Sequence, residues 1–393
     1  MKLYCLIIII LMIGFLACHQ SAGRRFELPR DADAVLQFAL SQYARAVESL
    51  TDTTKMPVQA RSDGSWVQKP TSDWVSGFFA GILWYLYDYS RDPYWEKQAR
   101  RWNAALEQEK SNTSTHDLGF MLYNSFGNGF RLTNDPHYRD ILIQGAESLS
   151  RRFNPVVGTI KSWDGPAEDH LTIIDNMMNL EYLMWASKVT GDPRYRNIAI
   201  QHADVTLNNH FRDDGSSWHV VNFDPQTGAV KQKRTAQGFS DTSSWARGQA
   251  WGGYGFTMMF RETGDERYLA AAQRTLDRFI ERLPVDRVPF WDFDAPNIPN
   301  EPKEASAAAI AASALLELST LVSDENQKKR YYRVALEMLN SLASDRYLAP
   351  ANSYQCLLLH SNASVPAGVD VDVNFTYADY YFIEALIRLL RYH

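Results

Sequence analysis

A chain of 393 residues with a net charge of −6, of which 45% are hydrophobic and 22% charged, has the means to bury a large core and is unlike a disordered chain. No run of Lys or Arg is present that could track a phosphate backbone, so no nucleic-acid partner is expected. The 11 Trp, 20 Tyr and 19 Phe exceed what a core of this size needs, and such flat amphipathic rings suit surfaces that bind sugars.

The first element in chain order is a targeting segment. Lys2 precedes an apolar run from Leu6 to Ala17, the length of a signal peptide and short of the ~18–20 residues that a membrane-spanning helix requires. It ends in Leu16-Ala17-Cys18, which resembles a bacterial lipoprotein signal. Residues 1–17 are therefore expected to be removed and Cys18 lipidated, with a plain secretory signal as the other reading. Membrane contact is expected only through that anchor, in a periplasmic or membrane-anchored lipoprotein of a bacterium. Cys356 is then the one further cysteine, which leaves no disulfide framework and no Cys-based metal site.

Residues 18–29 read as a polar linker, and 30–393 as a single catalytic domain. Apolar periodicity predicts helices at roughly 31–49, 74–90, 93–109, 117–133, 136–152, 173–189, 193–209, 245–263, 266–281, 304–320, 327–343 and 376–391. No strand block is expected among them. RDPYW, NDPHY, TGDPRY and TGDERY place Asp92, Asp135, Asp192 and Asp265 just before helices, three times with Pro at the first helical position. Their recurrence is an internal repeat of helix hairpins. The helices starting near Trp74, Asp117, Ile173, Trp245 and Ala305 are rich in small and aromatic residues and poor in charge, as surrounded helices should be, whereas their partners carry a charged face. The alternation favours an all-α fold, a closed (α/α)6 barrel of six inner and six outer helices, over an open solenoid.

In such a ring the inner helices run the same way, so their N-terminal ends share one mouth. That mouth gathers Trp74 and Phe78, His116 and Asp117, Asp175, Trp245, Arg247 and Trp251, with Trp163, His219 and Gln237 on the preceding loops. Two carboxylates beside a sugar are the usual equipment for acid/base work on a glycosidic bond. Singly, each member has an ordinary alternative. Asp175 and Asp117 could cap helices, Arg247 could be a buried ion-pair partner, His219 a loop histidine, and Trp245 and Trp251 core. Asp370, Asp372 and Asn374 imitate a calcium loop, but Phe375 stands where the turn needs Gly. No metal or other cofactor is expected.

HDLGFMLYNSFGNGFRLT from His116, IIDNMMNLEYL from Ile173 and DTSSWARGQAWGGYGF from Asp241 carry a resemblance to glycoside hydrolase family 88, the unsaturated glucuronyl hydrolases. The resemblance implies the (α/α)6 barrel and removal of a 4,5-unsaturated uronic acid from the non-reducing end of lyase-generated oligosaccharides. It implies Asp175 as general acid/base and Asp117 as a second essential aspartate. His116, Trp163, His219, Gln237, Arg247 and Trp251 would line the sugar site, with Phe78, Trp245 and His360 beside them. The implied reaction protonates C4 of the vinyl ether while water adds at C5. Asp175 must then be protonated, although a helix N-terminus and Arg247 would both lower its pKa. Asp117 and the substrate's carboxylate are expected to raise it. DVDVNFTYADYY departs from the family by lacking the serines that some members place before the last helix, which puts in doubt any sulfate or distal-sugar contact taken from it. An unsaturated rhamnogalacturonyl hydrolase acting on pectin fragments and a non-catalytic glycan-binding lipoprotein are the alternatives.

Overall fold

Four of the repeated aspartates are helix caps. Asp92, Asp135, Asp192 and Asp265 accept the backbone N–H two residues on, at 2.8–3.0 Å, which satisfies one of the donors that a helix start leaves unpaired. Asp324 caps its helix by accepting the N–H three residues on, that of Gln327, at 2.8 Å, so that helix starts at Glu325, ahead of the expected 327.

The computed structural model describes residues 27–351 and 356–392. The signal segment, Cys18 and most of the linker lie outside them. Among the described residues are twelve α-helices: α1 Ala32–Ser49, α2 Ser76–Ser90, α3 Pro93–Leu106, α4 Asn128–Thr133, α5 Pro136–Ser150, α6 Leu180–Thr190, α7 Pro193–Asn209, α8 Ala246–Thr263, α9 Glu266–Glu281, α10 Ala305–Leu321, α11 Glu325–Leu342 and α12 Thr376–Tyr392. A π-helical segment, Gly119–Gly127, runs into α4, and a 3-10 segment, Ile174–Asn179, runs into α6. These two segments correct the expected continuous helices over 117–133 and 173–189.

The packing follows the alternation read from composition. α2, the π segment, the 3-10 segment with α6, α8, α10 and α12 pack each against the next, and α12 packs against both α10 and α2. α3, α5, α7, α9 and α11 lie against the members of this series, and α1 lies against α2 and α12. α10 is buried on nearly every side because Ala and Ser lie along its length. α9 buries one face, Tyr268, Ala272, Leu276 and Phe279, and leaves the other charged. On α8, a Cβ at Gly255 would collide with Met177 and one at Gly248 with Trp245. Glycine at 255 lets the 3-10 segment lie directly on the helix.

The expectation of no strand block is overturned by seven short strands in three antiparallel sheets: β1 Met56–Ala60 with β2 Trp66–Lys69, β3 Phe153–Asn154 with β4 Thr159–Ile160, and β5 His170–Ile173, β6 Val220–Phe223 and β7 Val230–Arg234 in the order β5-β6-β7. None exceeds five residues, so none carries enough alternation to register as a period of two. The three-stranded sheet positions the site. Ile173 pairs with Val220, and Ile174 N–H donates to His219 C=O at 3.0 Å. This ladder brings the chain entering Asp175 beside the chain leaving His219.

Candidate active site

Asp175 sits one residue into the 3-10 segment and is 9% exposed. It caps nothing: the segment's N-cap is Ile173, with no side-chain cap bond. Its Oδ2 is buried without a hydrogen-bond partner, and so are His219 Nε2 and Trp251 Nε1. The Asp175 and His219 atoms are 3.8 Å apart. Burial pushes the Asp175 pKa up to about 7, with Arg247 opposing and Asp117 adding to the rise. Desolvation of a charged form in a low-dielectric site acts in that direction. The tension foreseen from the sequence is therefore resolved mainly by burial, with Asp117 as the smaller contributor.

His219 is held in one tautomer. Its Nδ1 accepts the backbone N–H groups of Ala236 at 3.1 Å and Gln237 at 3.2 Å. Burial holds its pKa well below the usual histidine value. A neutral ring accepting at Nδ1 carries its hydrogen on Nε2, so the side chain aims a donor at the carboxyl of Asp175. Trp163 meets the ring edge-on at 6.0 Å and Trp245 packs on it at 4.6 Å.

The second carboxylate is reached through Asn176. Its amide donates to Ile160 C=O and to Ser162 Oγ, both at 2.9 Å. That fixes Oδ1 to accept from His116 Nδ1 at 2.6 Å. His116 Nε2 then faces Asp117 Oδ1 at 3.4 Å. Burial raises the Asp117 pKa and lowers that of His116, so the two groups compete for one proton. Asp117 is no helix cap either: its carboxylate accepts from Thr115 Oγ1 at 3.1 Å, and the Thr115 hydroxyl in turn accepts the Asp117 N–H. Three residues on, Asn179 Oδ1 accepts the Gly119 N–H at 2.8 Å. Asn176 and Asn179 thus clamp the two carboxylate-bearing segments together. Sequence reasoning missed Asn176; two amides in an otherwise apolar inner segment were the available signal.

Arg247 is 1% exposed and fulfils the ion-pair reading. It pairs with Glu304 at 3.1 Å, donates to the carbonyls of Asn362 at 2.6 Å and Ala363 at 3.0 Å, and lies over the rings of Trp245 and Tyr377. Gln237 Nε2 joins it on the Ala363 carbonyl at 2.9 Å. Glu304 went unnoticed in the sequence, although a buried guanidinium requires such a partner.

Phe78 and His360 make their contacts away from the two carboxylates. Phe78 is fully buried among Trp74, Phe120, Tyr377, Tyr380 and Tyr381, so it supports the half-buried Trp74 rather than facing the mouth. His360 turns its ring to Asp372 at 2.6 Å and packs edge-on against Tyr347. Trp251 closes the floor of the site in a cycle of four rings, Phe78–Phe120–Trp251–Tyr381, with neighbouring centroids 5.3–6.1 Å apart.

Comparison with known proteins gives the same answer from several directions. The family profile for Glycosyl Hydrolase Family 88 matches residues 47–384. An unsaturated glucuronyl hydrolase of Formosa agariphila is 45% identical over 81% of this chain and 80% of its own length. An unsaturated chondroitin disaccharide hydrolase of Streptococcus pyogenes is 32% identical over 92% of each. Among solved structures, an unsaturated glucuronyl hydrolase specific for heparin superposes with a TM-score of 0.88 at 42% identity, covering 92% of this chain and 97% of that one. The Bacillus sp. unsaturated glucuronyl hydrolase, described as responsible for glycosaminoglycan degradation, gives 0.87 at 32% identity over 92% and 97% of the two chains.

Proposed function

This chain belongs to glycoside hydrolase family 88, and from that premise we propose that it removes 4,5-unsaturated uronic acid from the non-reducing end of lyase-generated, glycosaminoglycan-type oligosaccharides. The observation that carries the reading is a buried aspartate with an unpartnered oxygen, a pKa near 7, and a fixed histidine N–H opposite it. Such a carboxyl keeps its proton in about half of the molecules at neutral pH and can donate it, as general acid catalysis requires.

In the proposed sequence Asp175 gives its proton to C4 of the vinyl ether. Water adds at C5 and returns a proton to the Asp175 carboxylate, leaving a hemiketal that opens and expels the rest of the chain. His219 Nε2–H holds the oxygen that bridges it to Asp175. Asp117, beside His116, contributes a second polar wall and adds to the rise that burial gives the Asp175 pKa. Trp163, Trp245, Trp251 and Gln237 frame the sugar ring, and Arg247 fixes the loop that carries Asn362 and Ala363.

The same reading takes 30–393 as one catalytic domain, a closed (α/α)6 barrel; the packing of α12 on both α10 and α2 supports it. It also takes 1–17 as a signal peptide and Cys18 as the site of lipid attachment on a periplasm-facing protein, on the strength of Leu16-Ala17-Cys18. The test is optical. The purified chain should abolish the near-ultraviolet absorbance of unsaturated chondroitin, hyaluronan or heparin disaccharides faster than that of pectin-derived ones. Asp175→Asn should lose at least the ~10²–10⁴-fold that a positioned acid supplies. Undiminished turnover by that variant would rule the mechanism out.

A further inference from the structure

Below the four-ring floor the inner helices enclose a second cavity of ≈ 450 Å³. Its walls include Tyr85 of α2, Trp185 of α6, Met258 of α8 and Arg388 of α12, with Met177, Met178 and Tyr381 on the side toward the floor. Asp117 and Asp175 stand at the opposite, N-terminal ends. The cavity is of the size that holds small ligands, and two of its properties specify what it would hold.

The first is an unmet positive charge. Asp88, whose side chain is fully buried, receives three guanidiniums: Arg91 and Arg391 at 2.7 Å and Arg131 at 2.8 Å. One carboxylate neutralises one of them. Arg131 and Arg391 line the cavity with 44% and 47% of their side chains exposed. The acidic groups of the lining are already engaged. Glu181 pairs with Arg261 at 2.5 Å, while Glu384 accepts from Tyr85, Tyr254 and Ser313 at 2.6–3.1 Å. Arg388 in turn faces Glu317 at 3.0 Å, which Arg261 shares at 2.6 Å, and Glu384 at 3.7 Å. The excess of cation therefore sits at the Asp88 cluster, in a chain that is acidic overall.

The second is a ring platform with a spare donor. Tyr123 is stacked on Tyr182 at 5.4 Å, and Trp185 is braced by Tyr123 and Phe130. Rigid rings of this kind take the apolar face of a sugar at small entropic cost. Asn124, also in the lining, has a buried Nδ2 with no partner, a donor that a ligand oxygen would satisfy.

We propose that this cavity is a second binding site, for a sugar acid, with the carboxylate on Arg131 and Arg391 and the ring against Trp185 and Tyr123. The site is independent of the hydrolytic reading, because it lies on the other side of the Phe78–Phe120–Trp251–Tyr381 floor. It is tested by calorimetric titration of the full chain with D-glucuronate, with inorganic sulfate and the methyl ester of glucuronate as the anion-only and ring-only arms. The wild-type chain should bind glucuronate more tightly than either. R131Q/R391Q should weaken that binding at least about tenfold, the loss expected for charge-assisted hydrogen bonds. R391Q, at the half-exposed end of α12, should weaken it in the same direction, and it stands as the test should the double variant lose its cooperative melt. No glucuronate binding by the wild-type chain, equal affinity for sulfate, or unchanged affinity in the variants would each overturn the assignment. Hydrolysis is read by absorbance and this site by heat, so failure of one reading is distinct from failure of the other.

Discussion

At the residue scale the decisive property is the ionisation of Asp175. Its folded pKa, near 7, lies above the ordinary carboxyl value of 3.8, so the folded state prefers the neutral acid. Below about pH 4 both states are protonated; between about 4 and 7 only the unfolded chain ionises, and stability falls by about 1.4 kcal/mol per pH unit. Above 7 the difference no longer grows. Asp175→Asn, which stays neutral, should therefore melt higher than the wild type at pH 8 and alike at pH 3.5, as calorimetric melts at the two pH values would show. Catalysis has the same sign: kcat/KM should decline as pH rises through about 7, because the proton donor is lost. The sequence places Asp175 on a face with an apolar side chain, Met178, and an amide, Asn179, rather than among surface charges. It could not say that burial would outweigh Arg247, because that depends on how completely the folded chain excludes water.

At the scale of elements, the site depends on close approach between segments far apart in sequence. A Cβ on Gly77 would collide with the carbonyls of Phe120 and Met121. Gly77→Ala should therefore push α2 off the π segment that follows Asp117 and cost about 1–3 kcal/mol, as overpacking does. Gly264→Ala is the control. That glycine ends α8 at φ +69° with no neighbour within 4 Å, so it should cost only the ~1 kcal/mol of a left-handed cap. Denaturant titration of the two variants separates contact from conformation. Helix hairpins were legible because caps and periodicity are local signals. The β5–β6–β7 sheet was not, because its strands are short and its pairing joins residues some fifty positions apart.

For the whole molecule, the first and last described helices are tied together at Asp379. Buried on α12, its carboxylate accepts from Tyr43 of α1 at 2.6 Å and from the backbone N–H groups of Leu357 and Leu358 at 2.7 and 2.8 Å. The loop it anchors continues to Asn362 and Ala363, whose carbonyls hold Arg247. Asp379→Ala strands three buried donors at about 1–3 kcal/mol each. It should lower the melting temperature and also reduce turnover, whereas an equally destabilising substitution on an outer helix should leave turnover of the folded fraction intact. Absorbance assays below the melting point, set against the melts, distinguish the two outcomes.

The sequence by itself determined the twelve helices, their alternation of buried and charged faces, and the family to which HDLGF and WARGQAWG point. These are properties of neighbours within a few residues, which periodicity and capping record directly. Only the tertiary structure decided which side chains meet. It turned Arg247 toward Glu304, buried Phe78, drew His360 to Asp372, fixed the His219 tautomer and raised the pKa of Asp175. Each of these depends on burial or on partners distant in the chain, and such contacts leave no mark in local spacing.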